Sequence, residues 1–334
     1  MTIGGSGDDH LSKSQRRDAA RHKAKQLREN QKKKDRRNRV FLQGGIALAA
    51  IAIVGLIAVV IVTSIRPVGP GPANMASDGI LIGEGMKVVQ TSALRPEAKP
   101  IPSKPDATGT VTDIRIYLDY LCPLCGDFEK TNSKQIAKLV ESGAATVEIH
   151  PVALLTRKSA GTEYSLRAAN AAACVANYAP DSFFDFNSAM FVDQPEEGSA
   201  GRSDAELLDV VKASGVKSNL TAIGTCITDR TFTSWVDAAT TRAVTGPLPN
   251  TDLKAIKGTP TVLVNGKQYV GSLTDPKEFA AFVLQAAGET YSTSTATPVP
   301  TATPAPAEPA PAEPAPAETP APAETPAPAE TPAG

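Results

Sequence analysis

Between Phe41 and Ile65 the chain runs 25 residues without a charge, its aliphatics interrupted only by Gln43, Thr63, Ser64 and small residues. At about 1.5 Å of rise per residue, a helix of that length crosses a hydrocarbon core roughly 30 Å thick. Core helices of soluble domains are usually shorter and amphipathic. A cleaved signal peptide is the other use of such a run. Here the basic stretch ahead of it is longer than an n-region, the run exceeds an h-region, and no Ala-x-Ala site follows Ile65. The reading is an uncleaved transmembrane anchor over residues 40–65, which divides everything before it from everything after it.

Net charge, −1 overall, matters here only through its placement. Residues 1–39 hold 13 Lys or Arg against five Asp or Glu, and end in Lys32-Lys33-Lys34-Asp35-Arg36-Arg37-Asn38-Arg39 against the apolar run. Positive residues stay inside, so residues 1–39 form a cytoplasmic basic segment and the chain after Arg66 is exported. A basic cluster in that position suits topology and contact with anionic lipid, and no nucleic acid is expected as a partner. Residues 66–77, rich in Pro and Gly, read as an extended linker. Residues 291–334 pass from Ser/Thr into Pro-Ala-Glu repeats with Glu308, Glu313, Glu318, Glu324 and Glu330. With nothing to bury, that tail should be disordered and partly polyproline II. One folded domain remains, over residues 78–290.

The four cysteines, Cys122, Cys125, Cys174 and Cys226, all lie beyond the anchor. An even count in an exported region suits an oxidising compartment. Zinc would need two ligands beyond a C-x-x-C, and the exported region has a single histidine, His150, and no second paired spacing. Neither a metal nor a cofactor is expected, and His150 is given no special role.

Within the domain, Val111–Leu118 alternates and is rich in β-branched residues, so it reads as a strand. A helix follows from Cys122 to about Ser142, with Phe128, Ile136, Leu139 and Val140 inward and Gly143 ending it. Ala145–Val152 is a second strand. The chain then turns helical over about residues 161–245, with Phe183, Phe184, Phe186 and Trp235 as core. Thr261–Val264 and Lys267–Val270 flank Asn265-Gly266, the strongest short hairpin signal. A last helix begins at Asp275, with Pro276 at its first position, Glu278 completing a capping box, and Gly288 stopping it. The fold class is α/β with an inserted helical subdomain.

Cys122-Pro123-Leu124-Cys125 follows a strand and opens a helix. There the unpaired N–H groups and the positive helix end favour a thiolate, below the free value of about 8.5. Pro123 suits the first turn because its missing N–H would be unpaired anyway. Cys122 should be exposed and attacking, and Cys125 shielded and resolving. A bridge across two residues closes almost no loop entropy, so a purely structural disulfide is a poor account of the pair. Far along the chain, Gly258-Thr259-Pro260-Thr261 opens the hairpin. Pro260 is tolerated at a strand start as such. Its functional reading is a cis proline packed against the cysteine pair, with the backbone of Thr259 free to pair with an extended substrate.

The segments Tyr117-Leu118-Asp119-Tyr120-Leu121-Cys122-Pro123-Leu124-Cys125 and Gly258-Thr259-Pro260-Thr261-Val262-Leu263-Val264-Asn265-Gly266-Lys267 resemble the DsbA-like branch of the thioredoxin superfamily. The chain is similar in particular to its membrane-anchored extracytoplasmic members in Gram-positive bacteria. The resemblance covers roughly residues 78–290, beginning at Asp78-Gly79-Ile80-Leu81-Ile82-Gly83. It implies a thioredoxin fold, disulfide transfer to exported protein thiols, catalytic roles for Cys122, Cys125, Thr259 and Pro260, and a quinone-linked membrane partner for reoxidation. The chain departs from the pattern twice. Leu124 stands where the strongest oxidants carry His, and offers the thiolate neither charge nor hydrogen bond. Ile116 stands where many thioredoxin-fold proteins bury an acid; Asp119 is the substitute at hand.

Cys174 and Cys226 are expected to form a structural disulfide within the insert, a second redox pair or two buried thiols being the alternatives. Three functions compete: an oxidase working through a mixed disulfide at Cys122, an envelope reductase such as one serving cytochrome maturation, and a non-catalytic envelope binding or chaperone module. An isomerase is disfavoured, because no dimerisation domain is evident.

Overall fold

The computed structural model describes residues 13–64, 69–96 and 98–295. The chain divides into two units, Met1–Gly69 and Pro70–Gly334. In the first, α1 (Lys13–Ser64) is one continuous helix that carries the basic cluster straight into the apolar run. It includes a stretch long and apolar enough to cross a membrane, and Phe41, Leu42, Leu48 and Ile51 all point away from any protein core. The tail beyond residue 295, expected to be disordered, lies outside the described residues.

The second unit is built on a six-stranded sheet of β1 (Ile80–Gly83), β2 (Lys87–Val88), β3 (Thr112–Leu118), β4 (Ala145–Pro151), β5 (Thr261–Val264) and β6 (Lys267–Gln268). Their spatial order is β2-β1-β4-β3-β5-β6. β3 runs parallel to β4, with Ile116 opposite Ile149, and antiparallel to β5, with Ile116 opposite Val262. The parallel pair needs a crossover, which α2 (Pro123–Glu141) supplies; the hairpin β5–β6 leads into α8 (Pro276–Thr295). This strand–helix–strand, hairpin–helix arrangement is the thioredoxin fold. Between its halves stand α3 (Tyr164–Tyr178), α4 (Phe183–Met190), α5 (Asp204–Ala213), α6 (Leu220–Thr228) and α7 (Thr233–Thr245).

β3 sits at the centre and is buried on both faces, so its alternation sorts residues between two cores. Ile114, Ile116 and Leu118 join Phe128, Ile136 and Val140 of α2 and Phe279 and Val283 of α8. Tyr117 faces the other way, with Val152, Ala243, Leu248 and Leu263. Arg115 is buried and survives there because its guanidinium meets Glu148 at 2.8 Å, which also accepts from Ser77 and Ser103. His150 stacks on Tyr117 with ring centroids 4.4 Å apart. Gly79 makes room for it, since a Cβ there would lie 2.6 Å from the imidazole.

The insert packs tightly because α3 is Ala-rich: small side chains from Ala168 to Ala176 let neighbouring helices approach it, and nearly the whole helix is buried. Phe183 and Phe186 are fully buried, while Phe184 and Trp235 pack at the margin.

Five local expectations need correction. Residues 70–77 are no free linker: the Ala73 N–H donates to Asn177 at 2.8 Å, Asn74 donates to the Ala176 carbonyl, and Met75 is 1% exposed. The stretch from Ile80 supplies β1, which pairs with β4, and the edge strand β2, neither of which any strand signal had marked. The strand expected to reach Val270 ends at Gln268, because Tyr269 turns inward onto Phe279 and Phe282 while Val270 is left 85% exposed. Asp275 accepts from the Lys277 and Glu278 N–H groups, but Glu278 accepts from Ser272 instead of closing the box. Nor does Gly288 stop α8. The last turns are tethered by Asn265, which donates to the Ala286 carbonyl and to Thr290, and by the Lys267–Glu289 ion pair.

Candidate active site

The C-terminal end of β3 delivers the chain into Asp119-Tyr120-Leu121 and then directly into α2, for which Cys122 is the N-cap residue with extended backbone (φ −77°, ψ 116°). Pro123 occupies the first turn, as its lack of an N–H allows. The Cys122 carbonyl accepts from Cys125 and Gly126 N–H groups at 3.1 and 3.3 Å, closing that turn. Cys122 and Cys125 are both free thiols here.

The second strand-to-turn segment arrives from 137 residues away. The Thr259–Pro260 peptide bond is cis, and the Cys122 thiol donates to the Thr259 carbonyl at 3.1 Å. Cys122, Cys125, Thr259 and Pro260 are therefore brought to one place. Two expectations change. Cys122 is not exposed but buried at 6%, against 2% for Cys125, because the Thr259 segment lies over it. The Thr259 carbonyl is not free either, since the Cys122 thiol occupies it. Leu124, by contrast, projects outward at 53% exposure.

The two sulfurs differ sharply in acidity. The Cys122 thiol is lowered to about 6, chiefly because the Cys125 thiol donates to its sulfur; burial and the Asp119 carboxylate oppose the shift. Cys125 is pushed well above the ordinary thiol value, first by burial and then by its role as donor to Cys122. One turn thus holds a ready thiolate and a reserved thiol.

Asp119 is fully buried, and its carboxylate accepts from the Leu121 N–H (2.9 Å), the Leu155 N–H (2.9 Å) and the Ser165 hydroxyl (2.6 Å). Burial raises its pKa and these bonds restrain the rise. Its own N–H points at the Cys125 sulfur, 3.5 Å away. The carboxylate thus fixes the turn that presents the pair.

Sequence reasoning missed two further groups. Glu129, one turn beyond Cys125 on α2, is buried; desolvation raises its pKa and it accepts from Ser188 at 2.6 Å. Gln194, from the loop after α4, donates to the carbonyls of Tyr120 (3.0 Å) and Cys122 (2.9 Å). Glu129 was legible as a charge on the apolar face of α2. Gln194 had no sequence signal, because it lies 72 residues from its partner in an irregular segment.

Cys174 on α3 and Cys226 on α6 are joined, with Cα atoms 5.9 Å apart. A cavity of about 450 Å³ opens on the sheet face that carries Tyr117 and His150; neither redox cysteine lines it.

The family model described as Thioredoxin matches residues 104–284, just over half of the chain. Among curated proteins, the serine/threonine-protein kinase PknE of Mycobacterium tuberculosis is 35% identical over 110 residues, which cover 32% of this chain and 19% of that one. The chain therefore spans about a fifth of the length of the curated relatives it matches. Among solved structures, reduced DsbA from Mycobacterium tuberculosis is 28% identical, with 65% of this chain and 100% of that chain covered and a TM-score of 0.46. Reduced DsbG from the same organism is 27% identical, with 69% and 97% covered and the same score. Oxidised BdbD from Bacillus subtilis is 21% identical, with 67% and 100% covered, again at 0.46.

Proposed function

The chain belongs to the thioredoxin family, and from that premise we propose that it is a thiol–disulfide oxidoreductase of the DsbA type, acting as an oxidase on exported protein thiols. The observation that carries this reading is the geometry of one helical turn, with Cys122 capping α2, the buried Cys125 thiol one turn on, and the cis Thr259–Pro260 segment against Cys122. A sulfur lowered to about 6 beside one held as a thiol stabilises the reduced pair, and a stabilised reduced state is what makes a disulfide oxidising.

In this reading a substrate thiolate attacks Cys122 of the oxidised pair. The Cys122–Cys125 bond breaks, a mixed disulfide forms on Cys122, and Cys125 leaves and takes up a proton. A second substrate thiolate then attacks the substrate sulfur, and Cys122 departs as a stable thiolate. The substrate becomes a disulfide, and the pair gains two electrons and one proton, on Cys125; the other proton given up by the substrate thiols passes to solvent. Thr259 and Pro260 hold the substrate strand at the Cys122 sulfur. A two-electron acceptor must restore the pair, and we assign that step to a quinone-linked membrane partner. Residues 40–65 anchor the chain, residues 1–39 lie in the cytoplasm, and the catalytic domain works outside; the basic cluster against the apolar run supports that orientation.

Leu124 favours a second reading, a reductase, because an exposed leucine contributes nothing to the thiolate. The reduction potential of the pair separates the two. A value toward about −120 mV supports the oxidase, and one near about −270 mV replaces it with the reductase. Either enzyme should accumulate mixed disulfides through Cys122 when Cys125 is changed to Ala. A non-catalytic binding module would accumulate none.

A further inference from the structure

We infer that Gln194 is a positioning residue for the redox pair, holding the strand-to-helix turn so that Cys125 stays aimed at the Cys122 sulfur. The inference rests on the oxidoreductase reading and names a part of its machinery contributed by the inserted subdomain.

The turn from β3 into α2 spans only Asp119 to Leu121 before Cys122 caps the helix, and the Asp119 carbonyl accepts from the Cys122 N–H at 3.0 Å. The Gln194 amide nitrogen donates to two carbonyls at once, Tyr120 at 3.0 Å and Cys122 at 2.9 Å. One amide thus bridges the residues on either side of Leu121 and fixes the pitch at which Cys122 enters the helix. That pitch decides whether Cys125 can donate to the Cys122 sulfur, the largest influence on its acidity.

Two further features show a built contact. Gln194 Oε1 lies where a side chain at position 126 would begin: a Cβ on Gly126 would meet it at 2.2 Å. Glycine in the first turns of a helix costs about 1 kcal/mol against alanine, and here its place is explained by the amide that fills the space. The loop carrying Gln194 is also fastened. The Arg202 guanidinium donates to the carbonyls of Met190 (2.9 Å), Val192 (2.5 Å) and Asp193 (3.0 Å), and Asp193 adopts the left-handed conformation (φ 48°) that turns the chain toward α2. Arg202 shapes the strap, and Gln194 is its tip.

The test is the pH dependence of Cys122 alkylation by iodoacetamide in the reduced full chain, read beside thermal stability. The wild type should titrate near 6. Gln194→Ala should move the midpoint up by about half a unit, making alkylation at pH 5.5 about threefold slower. Gly126→Ala, which favours the helix but displaces the amide, should shift it the same way, and the double variant should go no further than Gln194→Ala alone. Gln194→Glu, which cannot donate, should shift it most. Midpoints in Gln194→Ala and Gly126→Ala that match the wild type would overturn the inference, whatever happens to thermal stability. A wild type with no thiol titrating below pH 7 would overturn the oxidase reading and this inference with it.

Discussion

Cys174 and Cys226 stand 52 positions apart on two helices, fully enclosed, and are bonded. Cys122 and Cys125 stand on one turn of a single helix and are not. Both pairs belong to the same domain. The first pair closes a long loop among alanines, with no donor or charge to favour a thiolate. The second closes almost no loop, but the Cys125 N–H and thiol bear on the Cys122 sulfur, and the distant Thr259 carbonyl lies against it. Spacing decides what a disulfide can contribute to stability, and surroundings decide what a thiol can do.

The sharpest way to break that contrast is to disable each pair in turn. Cys122→Ser should abolish thiol–disulfide exchange with a reduced, unfolded substrate, measured by loss of free thiols, while leaving the denaturation midpoint at pH 5 unchanged, where the thiolate contributes almost nothing. Replacing Cys174 and Cys226 together with Ala should do the reverse. Chain-entropy reasoning for a loop of this length puts the loss near 4 kcal/mol, to be read by urea denaturation. The alkylation midpoint of Cys122 should stay where it is.

A smaller effect comes from pH. Between pH 5 and pH 7, alkylation of Cys122 should rise about tenfold and then level off, while Cys125 stays unreactive across that range. The sign carries over to stability. The folded value lies below the ordinary thiol value of about 8.5, so the Cys122 contribution is complete above that value and is lost as pH falls through about 6. The smallest expected change belongs to Asp119→Asn. Removing the carboxylate takes away a group that disfavours the thiolate, so the Cys122 midpoint should fall by less than about one unit. The amide must also meet the Leu121 and Leu155 N–H groups with one oxygen, at a cost of about 1–3 kcal/mol in denaturation.

Much of this molecule was legible in local pattern. The apolar run, β3, α2, the Asn-Gly hairpin and the start of α8 each follow from a period, a cap or a turn signal within about 20 residues. The cysteine pair we propose as redox-active was legible too, as a C-x-x-C at a strand-to-helix junction. Two of the features that local pattern missed depend on a remote partner. Residues 70–77 look like linker until Asn177 and Ala176 accept their hydrogen bonds. Gly288 looks like a stop until Asn265 and Lys267 hold the turns beyond it.

By itself the sequence determined which sulfurs could react, because spacing and helix position are written in neighbouring residues and the forces involved act over one turn. Only the tertiary structure decided how that reactivity is set. The Thr259 carbonyl that covers Cys122, the amide of Gln194 that pins its turn and the Leu155 and Ser165 groups that hold the Asp119 carboxylate all come from elsewhere in the chain. A hydrogen bond acts only within about 3 Å, and which distant groups come that close is settled when the sheet and the insert pack together.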